Sequence, residues 1–379
     1  MNKVMALSMM SLSILAFSGN TNAKMVVSNN SDSTIQVALL LDTSNSMDGL
    51  IEQAKSRLWN IVNTLTTLKY NGQTPKIQIA LYEYGNDGLS EKNNWVRQVT
   101  PLTQDLDLLS EKLFSLKTNG GSEYVGAVVA DATKQLKWDD GRGSMKLIYI
   151  AGNEPFDQGK VSYKEAISDA RRNNIYVNTI YCGDIKTGIE SFWKDGAVRG
   201  QGKYFAINSD EKVKYVETPY DSKIAALNDK LNATYIGYGR AGNSKKMMQA
   251  EQDNNAAAVS ASNSVERVVS KSKTAAYSNS TWDVVDRYKE DKNFVQAAPE
   301  SELPDELKGK TATEKTAFIE AKTAEREAVQ NQIGELAAKR QSYIDEQNKR
   351  DRNAIGDDLG VAIEKSIVEI AGKNGFNRQ

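Results

Sequence analysis

The stretch that most restricts this chain is Ile35-Gln36-Val37-Ala38-Leu39-Leu40-Leu41, followed at once by Asp42-Thr43-Ser44-Asn45-Ser46. The run lacks the polar alternation of a strand with one wet face. It therefore reads as a strand buried on both faces, the condition of a central strand in a parallel sheet. Such a sheet needs helical crossovers, so the run already points to an α/β layer. After it, Met47-Asp48-Gly49-Leu50-Ile51 opens an amphipathic helix in which Ile51, Ala54, Leu58, Ile61, Val62 and Leu65 share one face.

From Ile35 to about Asn208 strand and helix patterns alternate. The strands read as Ile35–Leu41, Ile77–Tyr84, Trp95–Val99, Leu147–Ala151, Tyr176–Tyr181 and Tyr204–Ile207. Helices are expected at Leu106–Leu116, Tyr124–Leu136 and Tyr163–Arg172. The expected fold is α/β: a doubly wound, mostly parallel sheet with a helical C-terminal region. In such sheets ligands sit beyond the carboxyl ends of the strands, and D-x-S-x-S lies at one of those ends.

One carboxylate and two hydroxyls at alternate positions of a strand-to-helix turn can converge on a point. Asp42, Ser44 and Ser46 are hard oxygen donors of the kind that suits Mg²⁺. Other chemistry fits less well. An aspartyl nucleophile needs a second carboxylate two residues on, where Ser44 stands. A calcium loop of the EF-hand type needs glycine at Met47. Gly237-Tyr238-Gly239-Arg240-Ala241-Gly242 matches G-x-G-x-x-G, but polar, Asn-rich sequence follows it, so it reads as a turn.

The motif in this setting resembles the metal-ion-dependent adhesion site of a von Willebrand factor A (VWA) domain, over about residues 33–210. Lys117-Thr118-Asn119-Gly120-Gly121-Ser122-Glu123 matches the position of the family's Gly-Gly-Thr loop, and Ser122 keeps the hydroxyl that the resemblance assigns to the metal. After the central strand most relatives carry Thr-Asp-Gly, whereas this chain has Ala151-Gly152-Asn153-Glu154-Pro155. The aligned aspartate is missing, and Asn153 or Glu154 stands in. The resemblance implies bound Mg²⁺ or Mn²⁺ with one coordination position left for a partner's carboxylate. It implies a protein-binding module rather than an enzyme.

Composition narrows the classes further. There is no histidine among the 379 residues, which removes imidazole acid–base chemistry and most zinc sites. Cys182 is the only cysteine, so no internal disulfide forms, and its place at a strand end reads as a small buried hydrophobe. A net charge of −1 gives no field to draw nucleic acid. Met1-Asn2-Lys3, the apolar Val4–Phe17 and Thr21-Asn22-Ala23 read as a secretory signal peptide cut after Ala23. A periplasmic or secreted protein without a membrane span is expected.

The organisation expected is a signal peptide at 1–23, a VWA domain at 33–215, a mixed polar and helical extension at 216–300, and a long helix with a C-terminal helix at 301–379. Residues 243–280 carry few apolar anchors, and Ala297 to Pro304 reads as a linker. Trp282 is the expected anchor of the C-terminal half. In the long helix Val329, Ile333, Leu336 and Tyr343 form a heptad-like stripe, with Lys322 and Arg340 in its seam. A solvated helix packing on its own chain is expected ahead of an oligomerising coiled coil. The expected work is protein binding at the cell envelope through the cation; the competing reading is an assembly protein acting through the helical C-terminal region.

Overall fold

The apolar run becomes the middle of the sheet. The computed structural model describes residues 33–350 and 358–378; the expected signal peptide lies outside them. In chain order the first elements are β1 (Thr34–Asp42), α1 (Asp48–Thr66), β2 (Leu68–Tyr70), β3 (Lys76–Tyr84), β4 (Val96–Thr103), α2 (Leu106–Phe114) and α3 (Val125–Gln135). Next come β5 (Ser144–Gly152), α4 (Tyr163–Arg172), β6 (Ile175–Cys182), α5 (Ile185–Glu190), α6 (Trp193–Arg199) and β7 (Gln201–Ile207). The remainder is α7 (Asp221–Asn232), α8 (Gly242–Val259), α9 (Ala261–Lys271), α10 (Val284–Glu290), α11 (Phe294–Ala297), α12 (Ala312–Arg350), α13 (Leu359–Lys373) and β8 (Phe376–Arg378).

The main sheet runs β4-β3-β1-β5-β6-β7, with β4 antiparallel and the rest parallel. All nine residues of β1 are buried, because helices cover both faces. Ile35, Val37, Leu39 and Leu41 pack toward α1, α2, α9 and α13, while Ala38 and Leu40 pack toward α3, α4 and α6. The chain leaves β1 toward β3 on one side and returns to β5 on the other. The carboxyl end of β1 is thus the topological switch point, the place where open α/β sheets bind ligands.

Two expectations for the C-terminal half are corrected. Residues 243–280 do build a core: α8 and α9 bury Ala256, Val265, Val268 and Val269 against the α1 layer. Paired charges do the rest. Arg267 bonds Asp107 at 2.8 Å and Asp253 at 2.6 Å, with its guanidinium 4.6 Å from the Trp59 ring centroid. Lys271 bonds Asp253 at 2.8 Å and the amides of Asn228 and Asn232. A count of apolar residues misses a core of this kind, because each buried cation is satisfied by a carboxylate elsewhere in the chain.

The expected linker is also packed, since Leu303 and Leu307 are buried with Ile236, Val284, Tyr288 and Ile319. Helix α12 packs on its own chain. Ile319, Arg326, Ile333 and Arg340, spaced seven apart, are all buried. The arginines in the seam meet carboxylates of their own chain: Arg326 pairs with Asp283 and Asp286, and Arg340 with Asp221 and Glu266. Residues that look hostile to packing are therefore the anchors of the helix. Trp282 is buried as expected, 6.0 Å from the ring of Tyr235.

Helix α13 brings the end of the chain back to the sheet, where Ile363, Ile367 and Ile370 join the core beside α1. Ser366 lies 2.6 Å from the Tyr149 hydroxyl of β5 and donates to Asn178 of β6 at 3.1 Å. Arg57 of α1 pairs with Asp358, which also caps α13. Among the described residues, no helix is long and apolar enough to cross a membrane.

Candidate metal centre

Asp42 is the last residue of β1, fully buried at the switch point. Its Oδ1 accepts the Ser44 amide at 2.8 Å, as a carboxylate does in a tight Asx turn, while Oδ2 is buried with no donor. Burial raises the Asp42 pKa to about 7; the Ser44 amide and hydroxyl oppose this, and Glu123 and Glu154 add to it. Ser44 Oγ and Ser46 Oγ lie 3.3 Å apart, so the alternate spacing does bring the hydroxyls together.

The loop after β5 reaches the same place. Asn153 Nδ2 donates to Ser46 Oγ at 3.1 Å, and Asn153 Oδ1 is buried with no donor. Glu154 is less committed: its Oε2 accepts Gln158 Nε2 at 3.0 Å, although its charge still acts on Asp42. The departure at Ala151-Gly152-Asn153 has a steric cause. A β-carbon at Gly152 would stand 2.5 Å from the Tyr84 hydroxyl and 3.0 Å from Asp42 Oδ2. With Tyr84 bonded to the Ala151 carbonyl at 3.0 Å, position 152 has no room for a carboxylate.

The loop before α3 is knitted to the D-x-S-x-S turn through its backbone. The Asn45 amide donates to the Gly120 carbonyl at 2.9 Å, and the Asn119 amide to the Thr43 carbonyl at 3.0 Å. Within this loop Glu123, rather than Ser122, is turned inward. Ser122 is half-buried, whereas Glu123 is 8% exposed with its carboxylate within hydrogen-bonding reach of Ser44. Burial raises the Glu123 pKa, and the Glu154 charge adds to the rise. In the sequence the only signal for this residue is an acidic side chain directly after Gly120-Gly121-Ser122.

Among the described residues, no group of three or more carboxylate, imidazole or thiol side chains is placed to hold a metal ion. The donors gathered here are of another kind: one buried carboxylate, two serine hydroxyls and an amide oxygen. Two of those acceptors, Asp42 Oδ2 and Asn153 Oδ1, are buried without donors, an arrangement that costs free energy until something positive meets them. A small hard cation fits this set.

The segment joining β6 to β7 carries exposed hydrophobic side chains. Of the five large hydrophobic side chains exposed among the described residues, Ile185, Ile189, Phe192 and Val198 lie on α5, α6 and the residues joining them. That segment is fastened to the loop after β5. Trp193 Nε1 donates to the Glu154 carbonyl at 2.8 Å, and the Phe156 amide to the Ser191 carbonyl at 2.9 Å. Phe192 holds a left-handed backbone, φ 69°, and the residue is 43% exposed. The other motifs lead away from chemistry. Gly237 and Gly242 pack backbone to backbone, forming a tight turn into α8, and Cys182 is buried with its thiol pKa pushed up by burial.

The model of the von Willebrand factor type A domain matches residues 36–217, and this chain contains a domain of that family. Among solved structures, the conserved hypothetical protein BatB from Bacteroides thetaiotaomicron is 16% identical, over 46% of this chain and 90% of that one, with a TM-score of 0.35. The SpRpn10 VWA domain is 16% identical over 47% of this chain and 89% of its own, TM-score 0.36. The mussel byssus proximal thread matrix protein 1, with a zinc-occupied MIDAS motif, is 11% identical over 48% of this chain and 43% of its own, TM-score 0.36. No curated protein matches the chain.

Proposed function

We propose that the von Willebrand factor type A domain of this chain holds Mg²⁺ or Mn²⁺ at the carboxyl end of β1 and captures a protein partner there. The observation that carries this reading is Asp42 Oδ2, a buried carboxylate oxygen with no donor at the switch point of the sheet. Asp42, Ser44 and Ser46 hold the cation, Asn153 Oδ1 faces it, and Glu154 adds charge from the rim. Ser122 is the family's hydroxyl position, which the inward turn of Glu123 leaves at the margin. The cation supplies a positive centre that an acidic side chain of a partner can complete.

Capture of a protein, rather than of a small anion, is supported by the apolar surface that runs from the same loops. Isolated exposed hydrophobes need no explanation, but four within one segment mark an interaction surface. The chain works by binding and not by catalysis, in line with a sequence free of histidine. The signal-peptide pattern at Met1–Ala23 supports export, and so places the partner in the cell envelope or outside it.

Calorimetry of the full chain with Mg²⁺ and with Mn²⁺ tests the site: saturable heat is expected, and Asp42→Ala abolishes it. Partner capture from envelope extract is expected to fall with chelator and with Asp42→Ala. Capture that survives both refutes the cation's role.

A further inference from the structure

We propose that Glu123 is itself a ligand of the cation, supplying the second carboxylate that the loop after β5 lacks. The inference rests on the reading of the metal site above and adds a residue to it.

Two glycines, Gly85 and Gly121, border the Glu123 side chain, and the absence of their β-carbons leaves room for it. A β-carbon at Gly121 would collide with Glu123 Oε1 and stand 2.9 Å from Ser44 Cβ, so the carboxylate, the Ser44 side chain and this glycine are mutual neighbours. A β-carbon at Gly85 would stand 2.7 Å from Glu123 Cγ and 3.0 Å from Asp42 Oδ1. One point thus lies beside both acidic side chains. Loops following two different strands, together with the loop before α3, thus bring Glu123 beside Ser44 and into the neighbourhood of Asp42.

The Glu123 carboxylate has hydrogen-bond donors within reach, the Ser44 hydroxyl and its own amide, but no cationic side chain among the described residues. No salt bridge to Glu123 is found among the described residues, while Asp42, Glu154 and Asp87 add negative charge around it. Two buried carboxylates side by side repel each other, and burial removes the water that would screen them. A divalent ion reverses that balance. The loop after β5 offers no better placed second carboxylate ligand: Tyr84 crowds position 152, Asn153 is neutral, and Glu154, though its charge is felt at Asp42, is bonded to Gln158. With Glu123 the site holds two charges against a divalent cation, rather than one.

The test uses Mg²⁺ calorimetry and Eu³⁺ luminescence on the full chain, with wild type, Glu123→Gln, Ser122→Ala and Gly121→Ala. Glu123→Gln keeps the shape of the side chain and removes a buried charge, and it is expected to weaken Mg²⁺ binding about tenfold or more. Luminescence lifetimes in light and heavy water should show at least one more water on Eu³⁺ in that variant. Gly121→Ala should act in the same direction by displacing the carboxylate, while Ser122→Ala stays within about twofold of wild type. If wild type binds and Glu123→Gln binds equally well with unchanged hydration, the role of Glu123 is overturned and the metal site stands. If wild type binds neither ion, the metal site fails and this inference fails with it.

Discussion

Replacing Arg326 by Met tests whether the long helix is part of the body of this protein or a free arm. The guanidinium is fully buried and makes five hydrogen bonds. Nη1 reaches Asp283 at 2.7 Å and Asp286 at 2.8 Å, Nη2 reaches the Thr234 carbonyl at 2.6 Å and Asp283 at 3.1 Å, and Nε reaches Thr234 Oγ1 at 3.0 Å. Its plane lies 4.0 Å from the Tyr235 ring centroid. Methionine fills much of the same volume but leaves Asp283 and Asp286 buried without their cation. Breaking a buried pair from one side costs about 3–5 kcal/mol. With an unfolding entropy of about 2 cal/mol/K per residue, the described residues give about 1.4 °C per kcal/mol, so the melting point should fall by about 4–7 °C. Urea unfolding followed by circular dichroism reads the free energy directly. Adding Asp283→Asn and Asp286→Asn to Arg326→Met should recover more than half of the loss, because the uncompensated charges go with it. A loss under about 1 kcal/mol, or no recovery in the triple variant, refutes the claim that this arginine anchors α12.

Three shorter expectations follow from the same reasoning. Mg²⁺ at a hundredfold above its dissociation constant should add about 2.7 kcal/mol and raise the melting point by about 4 °C; Asp42→Ala should show no such gain in the same thermal scan. Phe192→Ser removes an exposed ring and should change stability by no more than about 0.5 kcal/mol while lowering partner capture; equal capture would disconnect the apolar surface from binding. Glu266 is buried, and burial, outweighing Arg340 and Arg57, raises its pKa from 4.5 to about 7. The folded state then keeps a proton that the unfolded chain releases. Glu266 therefore lowers stability by about 3 kcal/mol as pH rises from about 4.5 to 7, at about 1.4 kcal/mol per pH unit. Glu266→Gln should flatten that part of the urea-midpoint profile, and a profile of unchanged slope refutes the assignment.

Much of the α/β half was readable because its signals are local. The period-two and apolar-run patterns located all six strands of the main sheet, and Tyr163–Arg172 matches α4 residue for residue. The turn after β1 was readable too, since alternate residues of a tight turn converge whatever surrounds them. The antiparallel pair of β2 and β8 was not, because strands of three residues joined across the chain carry no periodicity of their own.

What the sequence determined by itself was the buried central strand, the α/β winding around it, and the hard oxygen donors Asp42, Ser44 and Ser46 at its carboxyl end. Tertiary structure decided the rest. It chose Glu123 over Ser122 as the inward side chain, because the space left by Gly85 and Gly121 comes from different loops. It made Arg340, read from the sequence as a charge in the helix seam, an anchor together with Arg326, because their carboxylates stand on other elements. It also returned α13 to the face of the sheet. Periodicity records which face of a segment avoids water. Whether a charge can be buried depends on a partner that only the folded chain brings near.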